Sequence, residues 1–437
     1  MSHCINQLMR LALTGILIIP SAFANSKTSQ DYWVSGWASL PSETIITGPV
    51  SGHFIEPSLG VTTPFMGQPI PGWSGLLHIR DAIFWGMPDN GFGSKYNSQD
   101  FVLGMYRFNA NVVEQINNTS KQGAIQIEKF LPFNDKRGIL KNGKGVDFPI
   151  TADFTQYKFE SGRLSEFSVA QEIREQRWLT GFDFDVESVV LSDDGSFWVG
   201  EEFGPFLLHF DSSGALLEEP VPHPSLFSPF NPEVLAGLKE ATLPASRGFE
   251  ALAKSDIKSQ LLVVPEAVSH DVQLRVSKND ERLLEIFIYD TSKKQYLDKT
   301  YLYRKDGEKT RNTIVIGDMV ALGNGKYMLI ERDSLFGENA KLKRIYQIDL
   351  KETDSEGVLD KSLLVDLLDI PDPHYIAPSS SSGIFSLPFD SIEGLAVLDK
   401  YTIAVSVDTN FPNQNARGGV APDDTEIVFI RFNNALL

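Results

Sequence analysis

Cysteine is almost absent: the single one among 437 residues is Cys4. It lies in a stretch, residues 1–24, where Arg10 is the only charged side chain. Residues 11–19 form an apolar run, Pro20 breaks it, and Ala22, Phe23 and Ala24 supply a small-x-small triplet. A basic flank, a short apolar segment and that triplet describe a secretory signal peptide cleaved after Ala24. The run is about half the length that crosses a bilayer, and no later stretch is apolar for long enough, so no stable membrane anchor is expected. The mature chain then lacks cysteine altogether. That excludes disulfides, thiolate metal sites and a cysteine nucleophile. An exported fold without disulfides must stabilise itself by burial, which about 410 residues with 42% hydrophobic content permit.

Positive charge is also scarce. Lys and Arg number 39 against 57 Asp and Glu, and the net charge of −18 becomes −19 when Arg10 leaves with the signal. An acidic chain repels phosphate backbones and anionic lipid, so nucleic acid is excluded as a partner. Cations are its natural complement, and any anionic substrate needs one to mediate the encounter. Familiar catalytic signatures are missing too: there is no G-x-S-x-G elbow, Walker loop, H-E-x-x-H or dinucleotide fingerprint. Residues 379–383 read as a polar loop. Asn117 and Asn118 match a glycosylation pattern that matters only in a host that uses it.

Helical periodicity is confined to residues 232–239 and 165–177. Elsewhere short β-branched and aromatic runs end in Gly, Asp, Asn and Pro, the grammar of strands and turns. Residues 186–216 give the clearest unit: a strand, the turn Asp193-Asp194-Gly195-Ser196, a second strand, a loop and a third strand. The pattern recurs, with copies opening at Ser74, Glu187, Glu250, Asp318 and Glu393. The last three intervals are 63, 68 and 75 residues and the first is 113. Self-similar units of this size predict an all-β chain folded as a β-propeller. Six blades are favoured, because the long interval has room for another, with seven and five as fallbacks. An insertion around residues 138–151 is the other way to fill it. Residues 33–58 are expected to supply a strand that closes the ring with the last blade. A sandwich or two-domain all-β chain is the rival architecture.

Each unit also carries a pair of acids. One opens the first strand and one closes the second: Glu187 with Glu201 or Glu202, Glu250 with Glu266, Asp318 with Glu331, and Glu393 with Asp408. The first unit has Ser74 in the opening place and Asp89 in the closing one. Antiparallel strands joined by a tight hairpin start and finish at one edge of the sheet, so all pairs should converge on one mouth of the channel. A lone acid at a strand end is ordinarily a solvated turn residue; recurrence at both ends is what turn chemistry does not explain. Of Glu201 and Glu202, one must face away, since neighbours in a strand alternate. Crowded carboxylates raise one another's pKa and call for a cation. Oxygen-only ligands without clustered His suit a hard ion, and Ca2+ tolerates irregular geometry best. Asp89, Glu187, Glu202, Glu250, Glu266, Asp318, Glu331, Glu393 and Asp408 are the candidate metal ligands.

Basic candidates are few. Arg247 precedes Gly248-Phe249-Glu250 and Arg332 follows Glu331; either suits a phosphoryl or carboxyl group, or an ion pair with a neighbouring acid. His209 alternates with apolar neighbours and reads as structural. His270 and His374 sit in loops and carry no assignment. Glu218 is expected in a loop with only solvent contacts.

Residues 187–191, 197–205 and 208–211 resemble the phytase-like family described as "esterase-like activity of phytase". So do residues 247–252, 328–333 and 391–395, and the likeness runs from about residue 73 to 432. The resemblance implies an exported bacterial propeller, periplasmic or secreted, related to phosphomonoester-hydrolysing propellers that use calcium. Residues 25–437 would be its single domain. Ser74 departs from the acidic pattern, and Asp318 stands where the other units have Glu, so the cluster differs from the full multi-calcium pattern that the resemblance implies. The leading expectation is a monomeric, metal-dependent hydrolase of phosphate esters acting on a small anionic substrate, with Glu250, Arg247 and Arg332 in the catalytic centre. The alternatives are a non-catalytic ligand- or protein-binding propeller with structural calcium, and a lactonase-like carboxyl-ester hydrolase.

Overall fold

The Asp194-Gly195 turn sets the pattern for the molecule. Val186–Leu191 runs antiparallel to Phe197–Glu201, with Leu191 opposite Phe197 across the hairpin. Gly195 turns the chain at φ 83°, which glycine adopts without steric cost. The computed structural model to which these elements belong describes residues 31–112, 123–140, 148–266 and 280–436. The signal segment, the Asn117 and Asn118 pattern and the His270 loop lie outside them.

Among the described residues the strands make four four-stranded antiparallel sheets and one of five strands, besides three two-stranded ones. Blade 1 is Gly75–Arg80, Ile83–Met87, Gly104–Asn109 and Gln126–Pro132. Blade 2 adds Phe206–Phe210 and Val221–Pro222 to the hairpin above. Blade 3 is Phe249–Lys254, Gln260–Pro265, Leu283–Asp290 and Gln295–Tyr296, with Tyr301–Arg304 also paired to its third strand. Blade 4 is Ile314–Gly323, Lys326–Asp333, Lys343–Thr353 and Leu359–Asp366. Blade 5 takes Ile392–Asp399, Thr402–Val407 and Thr425–Phe432 from the end of the chain. Its outermost strand comes from the other end: Tyr32–Leu40 pairs with Thr425–Phe432. The inner strands of successive blades touch in order, and that of blade 5 returns to blade 1.

The protein is therefore a β-propeller, and its blade count is five, not the six that the spacing favoured. Among the described residues the 113-residue interval holds no further four-stranded sheet. It holds a long loop inside blade 1 and an excursion, described over residues 134–140 and 148–183, with the hairpin Gln156–Lys158/Leu164–Ser168 and the helix Gln171–Gln176. Ile150, Tyr157, Ile173 and Leu179 of this excursion pack into the seam between blades 1 and 2. The helix read at residues 165–177 is thus half strand, and the one read at 232–239 shortens to Pro232–Leu235.

Each seam has its own apolar core. Val190, Trp198 and Leu207 of blade 2 meet Leu252, Val263 and Phe287 of blade 3. Ala251, Leu262 and Ile286 of blade 3 meet Met319, Leu329 and Ile348 of blade 4. Comparable clusters fill the other three seams. A sheet buried on both faces needs apolar side chains at successive positions, which is why the inner strands read as continuous runs. No described helix is long and apolar enough to cross a membrane.

Candidate functional site

The opening acids share a backbone device. In blades 2, 3, 4 and 5 the ladder between the first two strands slips at Glu187, Glu250, Asp318 and Glu393. A β-bulge bends the strand and re-aims the extra residue's side chain. Three of these acids, Glu187, Glu250 and Glu393, converge on one another across the inner strands. Close backbone approach completes the arrangement between blades 2 and 3. A Cβ on Gly248 would stand 2.5 Å from Glu202 Cα, so glycine is what lets the two blades meet there.

The closing residues follow the last ladder pair. Glu201 faces Val186, Pro265 faces Phe249 and Val407 faces Ile392, which places Glu202, Glu266 and Asp408 next along the edge. In blade 4 the matching pair is Ile316 with Glu331, so the closing residue is Arg332. Blade 4 thus presents a guanidinium where three other blades present carboxylates. Glu331 turns the opposite way. It accepts hydrogen bonds from Tyr303 Oη at 2.5 Å and Asp306 N at 2.7 Å, and Lys361 pairs with it. Glu201 likewise faces off the mouth and holds its own loop, accepting from the backbone N–H of Phe203, Gly204 and Phe206.

Three sets of carboxylate oxygens lie within 4.8 Å of one another: Asp185 with Glu187 and Glu202, Glu187 with Glu250 and Glu393, and Glu202 with Glu250 and Glu266. Five of the residues singled out in the sequence therefore converge: Glu187, Glu202, Glu250, Glu266 and Glu393. Asp89 and Asp408 border the group and line a cavity of about 120 Å³. Asp318 lies outside these sets: its two oxygens accept from Met319 N at 2.7 Å and Leu395 N at 2.9 Å, stapling blade 4 to blade 5. Asp185 was missed. It precedes the strand that opens at Val186, so no strand pattern in the sequence marks it. The trace of Arg332 is the Asp318 to Glu331 spacing of 13, the shortest of the set.

Charge is compensated on one side only. Arg332, 7% exposed, has Nη2 2.5 Å from Glu393, 3.3 Å from Glu266 and 3.6 Å from Glu250, and Nη1 3.5 Å from Asp390. Arg247 pairs with Glu266 and is 38% exposed. Burial opposes the Arg332 charge, but Glu393, Glu266 and Glu250 outweigh it and raise its pKa. The other side has nothing comparable: among the described residues Asp185, Glu187 and Glu202 have no ion pair. Burial, then repulsion from Asp185 and Glu250, pushes Glu187 well above the usual carboxylate range. Burial and Glu266 do the same to Glu202, and burial with the nearby carboxylates raises Asp89 to about 8 and Asp185 to about 6. Glu202 Oε1 and Glu250 Oε1 are buried without a hydrogen-bond partner. An all-oxygen donor set with orphaned, buried acceptors fits a hard cation.

A second constellation lies at the opposite edge, by the Asp194-Gly195 turn. His209 Nε2 is 2.9 Å from Ser196 Oγ and Nδ1 is 2.9 Å from Glu218 Oε1. These are the spacings of a nucleophile, base and orienting acid. Ser196 Oγ, however, lies 2.6 Å from Asp194 Oδ1, which accepts the hydroxyl proton, and Ser196 N donates to the same oxygen. The hydroxyl is a link between His209 and Asp194, and the imidazole stacks on Trp198 at 4.1 Å. These contacts tie the Asp194-Gly195 turn to the third strand of blade 2 and to Glu218. Glu218 is part of this network and also pairs with Lys294, so it is not the solvated loop acid expected from the sequence.

A family model described as "Phytase-like: Esterase-like activity of phytase" matches residues 68–411. An uncharacterized secreted protein of Arthroderma benhamiae is 25% identical over 207 residues, which are 41% of this chain and 40% of that one. The match thus spans well under half of the relative's length. A solved luciferin-regenerating enzyme is 10% identical, covering 83% of this chain and 92% of its own with a TM-score of 0.36. The virginiamycin B lyase of Staphylococcus aureus is 12% identical, covering 83% and 95%, with a TM-score of 0.31.

Proposed function

The chain belongs to the phytase-like family, and from that premise we propose that it is an exported hydrolase of phosphate esters whose acidic mouth works with calcium. One observation carries the reading: Asp185, Glu187 and Glu202 form a buried carboxylate set with no ion pair among the described residues, beside two guanidiniums. Asp185, Glu187, Glu202 and Glu250 would hold the ion. When bound, calcium offsets the negative mouth for an anionic substrate and lowers the pKa of an attacking water.

The chain's own residues divide the remaining work. Arg247 is the accessible guanidinium, with its Nη1 committed to Glu266 and the rest of its fork free to meet a phosphoryl oxygen. Arg332 is held by four carboxylates, so it acts as a fixed positive charge that orients Glu250 and Glu393 and not as a mobile substrate ligand. Glu250 faces both the cation set and Arg332, which makes it the residue whose charge most directly sets the field at the mouth. A single small phosphate monoester, a monomeric chain and a location in the periplasm or medium complete the proposal. Export is supported by the description of the Arthroderma relative as secreted.

The burial of the mouth favours a second reading. Glu187, Glu202, Glu250, Glu266 and Glu393 are all at most 7% exposed, as suits a structural ion in a non-catalytic binding propeller. Elemental analysis of purified protein, joined to a panel of phosphate and carboxyl esters with and without chelator, separates the two. Chelator-sensitive phosphate release supports the enzyme. Bound calcium without turnover supports the binder, and carboxyl-ester turnover alone supports a lactonase-like hydrolase.

A further inference from the structure

A cavity of about 530 Å³ opens beside the acid mouth. It lies on the same edge of the ring, since Lys95 and Phe203 in its wall belong to the loops that follow the second strands of blades 1 and 2. Those loops also carry Asp89 and Glu202. Phe182, Phe203, Phe206 and Phe230 make the wall aromatic. The rim is apolar as well: Leu235 and Leu238 are 60% and 64% exposed.

Two cations line this surface, Lys158 over the Phe154 ring and Lys95, and of the two Lys95 is the buried one. Lys95 is 9% exposed, its Nζ donates to the Phe182 carbonyl, and it stands 4.3 Å and 4.9 Å from the Phe182 and Phe203 ring centroids. Among the described residues no carboxylate lies within ion-pair distance of it. Asp183 also lines the cavity, but its oxygens are taken: Oδ1 accepts from Thr151 N and Oγ1, and Oδ2 from Thr180 N and Oγ1. Burial lowers Lys95 to about 8 against the pull of Asp183, Glu201 and Asp185, so the ammonium keeps its charge at neutral pH. A buried ammonium with one protein acceptor gains a strong charge-assisted bond from an incoming oxyanion. Exposed leucines at the lip of an aromatic cavity gain by being covered with apolar surface.

We propose that this cavity binds an anionic amphiphile, with its carboxylate or phosphate head at Lys95 and its chain or ring against the phenylalanines and the two rim leucines. Binding here is separable from hydrolysis at the acid mouth, because Lys95 and not the carboxylate cluster takes the head group.

Calorimetric titration of the full chain at pH 7 with decanoate, decyl phosphate, decan-1-ol and acetate tests this. Saturable one-to-one binding of decanoate is expected, at least tenfold tighter than decan-1-ol and than acetate. Decyl phosphate against decanoate tells which head the site prefers. Leu238→Asp, on an exposed rim position, should weaken decanoate at least tenfold, and Lys95→Gln should bring decanoate down to the affinity of decan-1-ol. The decanoate-to-decanol ratio in the unaltered protein decides the head-group claim even if Lys95→Gln does not fold. No decanoate binding, acetate binding as tightly as decanoate, or decanoate binding unchanged by Leu238→Asp would overturn the proposal.

Discussion

Arg332 Nη2 lies 2.5 Å from Glu393 Oε1, and the pair joins the closing residue of blade 4 to the opening acid of blade 5. The arginine stands in a register that blades 2, 3 and 5 give to an acid, so one side of the mouth carries its counter-charge in the chain itself. Removing one partner of a buried pair leaves an uncompensated charge and costs about 3–5 kcal/mol. Arg332→Met should destabilise the protein by that order in urea melts. Adding Glu393→Gln should recover part of the loss, because it removes a carboxylate that the arginine had balanced. No recovery in the double variant would show that the arginine is needed for packing and not for charge.

Calcium should stabilise the native protein, by about 2.7 kcal/mol at a hundredfold excess over Kd. Melts with calcium, magnesium and chelator check this. Equal melting temperatures in all three, after the chelator has demonstrably stripped the protein, would remove the ion from the account.

That stabilisation should depend on pH in a fixed direction. Burial holds Asp185 at about 6 and Asp89 at about 8, above their ordinary values near 4. Between about pH 4 and 8 the metal-free native state therefore binds protons that the unfolded chain has lost. A native state richer in protons loses stability as pH rises. Calcium must displace those protons, so its effect grows over the same range. The melting shift on adding calcium should be small at pH 5 and largest near pH 8. A shift that shrinks with rising pH would contradict the assignment of Asp185 to the ion and of Asp89 to its immediate border.

Asp318 and Glu218 should behave as structural acids. Asp318→Asn replaces one of two acceptors between Met319 N and Leu395 N and should cost about 1–3 kcal/mol, with the calcium response intact. Glu218→Gln weakens the links to His209 and Lys294 and should cost about 1 kcal/mol in thermal melts without altering turnover. A loss of calcium response in Asp318→Asn would return that residue to the site.

Much of this was legible in the chain, for reasons that differ by level. The hairpin at Asp194-Gly195 and the acid at each strand end are local, so the fold class and the converging edge could be read directly. The blade count could not, because an excursion that packs on a seam and a blade that joins the ring occupy the same length of sequence. Which acid of a pair faces the channel depends on ladder register. A bulge shifts that register by one residue, and one residue reverses the face. Glu331 was read as the closing acid for that reason, and the guanidinium beside it proved to hold the place. Asp185 precedes its strand, outside the pattern that defined the pairs.

Calcium titration of chelator-stripped protein by calorimetry at pH 7.5 tests the central claim, that the unpaired carboxylates of the mouth hold a hard cation. The unaltered chain and Asp318→Asn should bind calcium alike, and Glu202→Gln should lose binding at least tenfold while it still melts cooperatively. Absence of binding to the unaltered protein, or equal binding by Glu202→Gln, would contradict it.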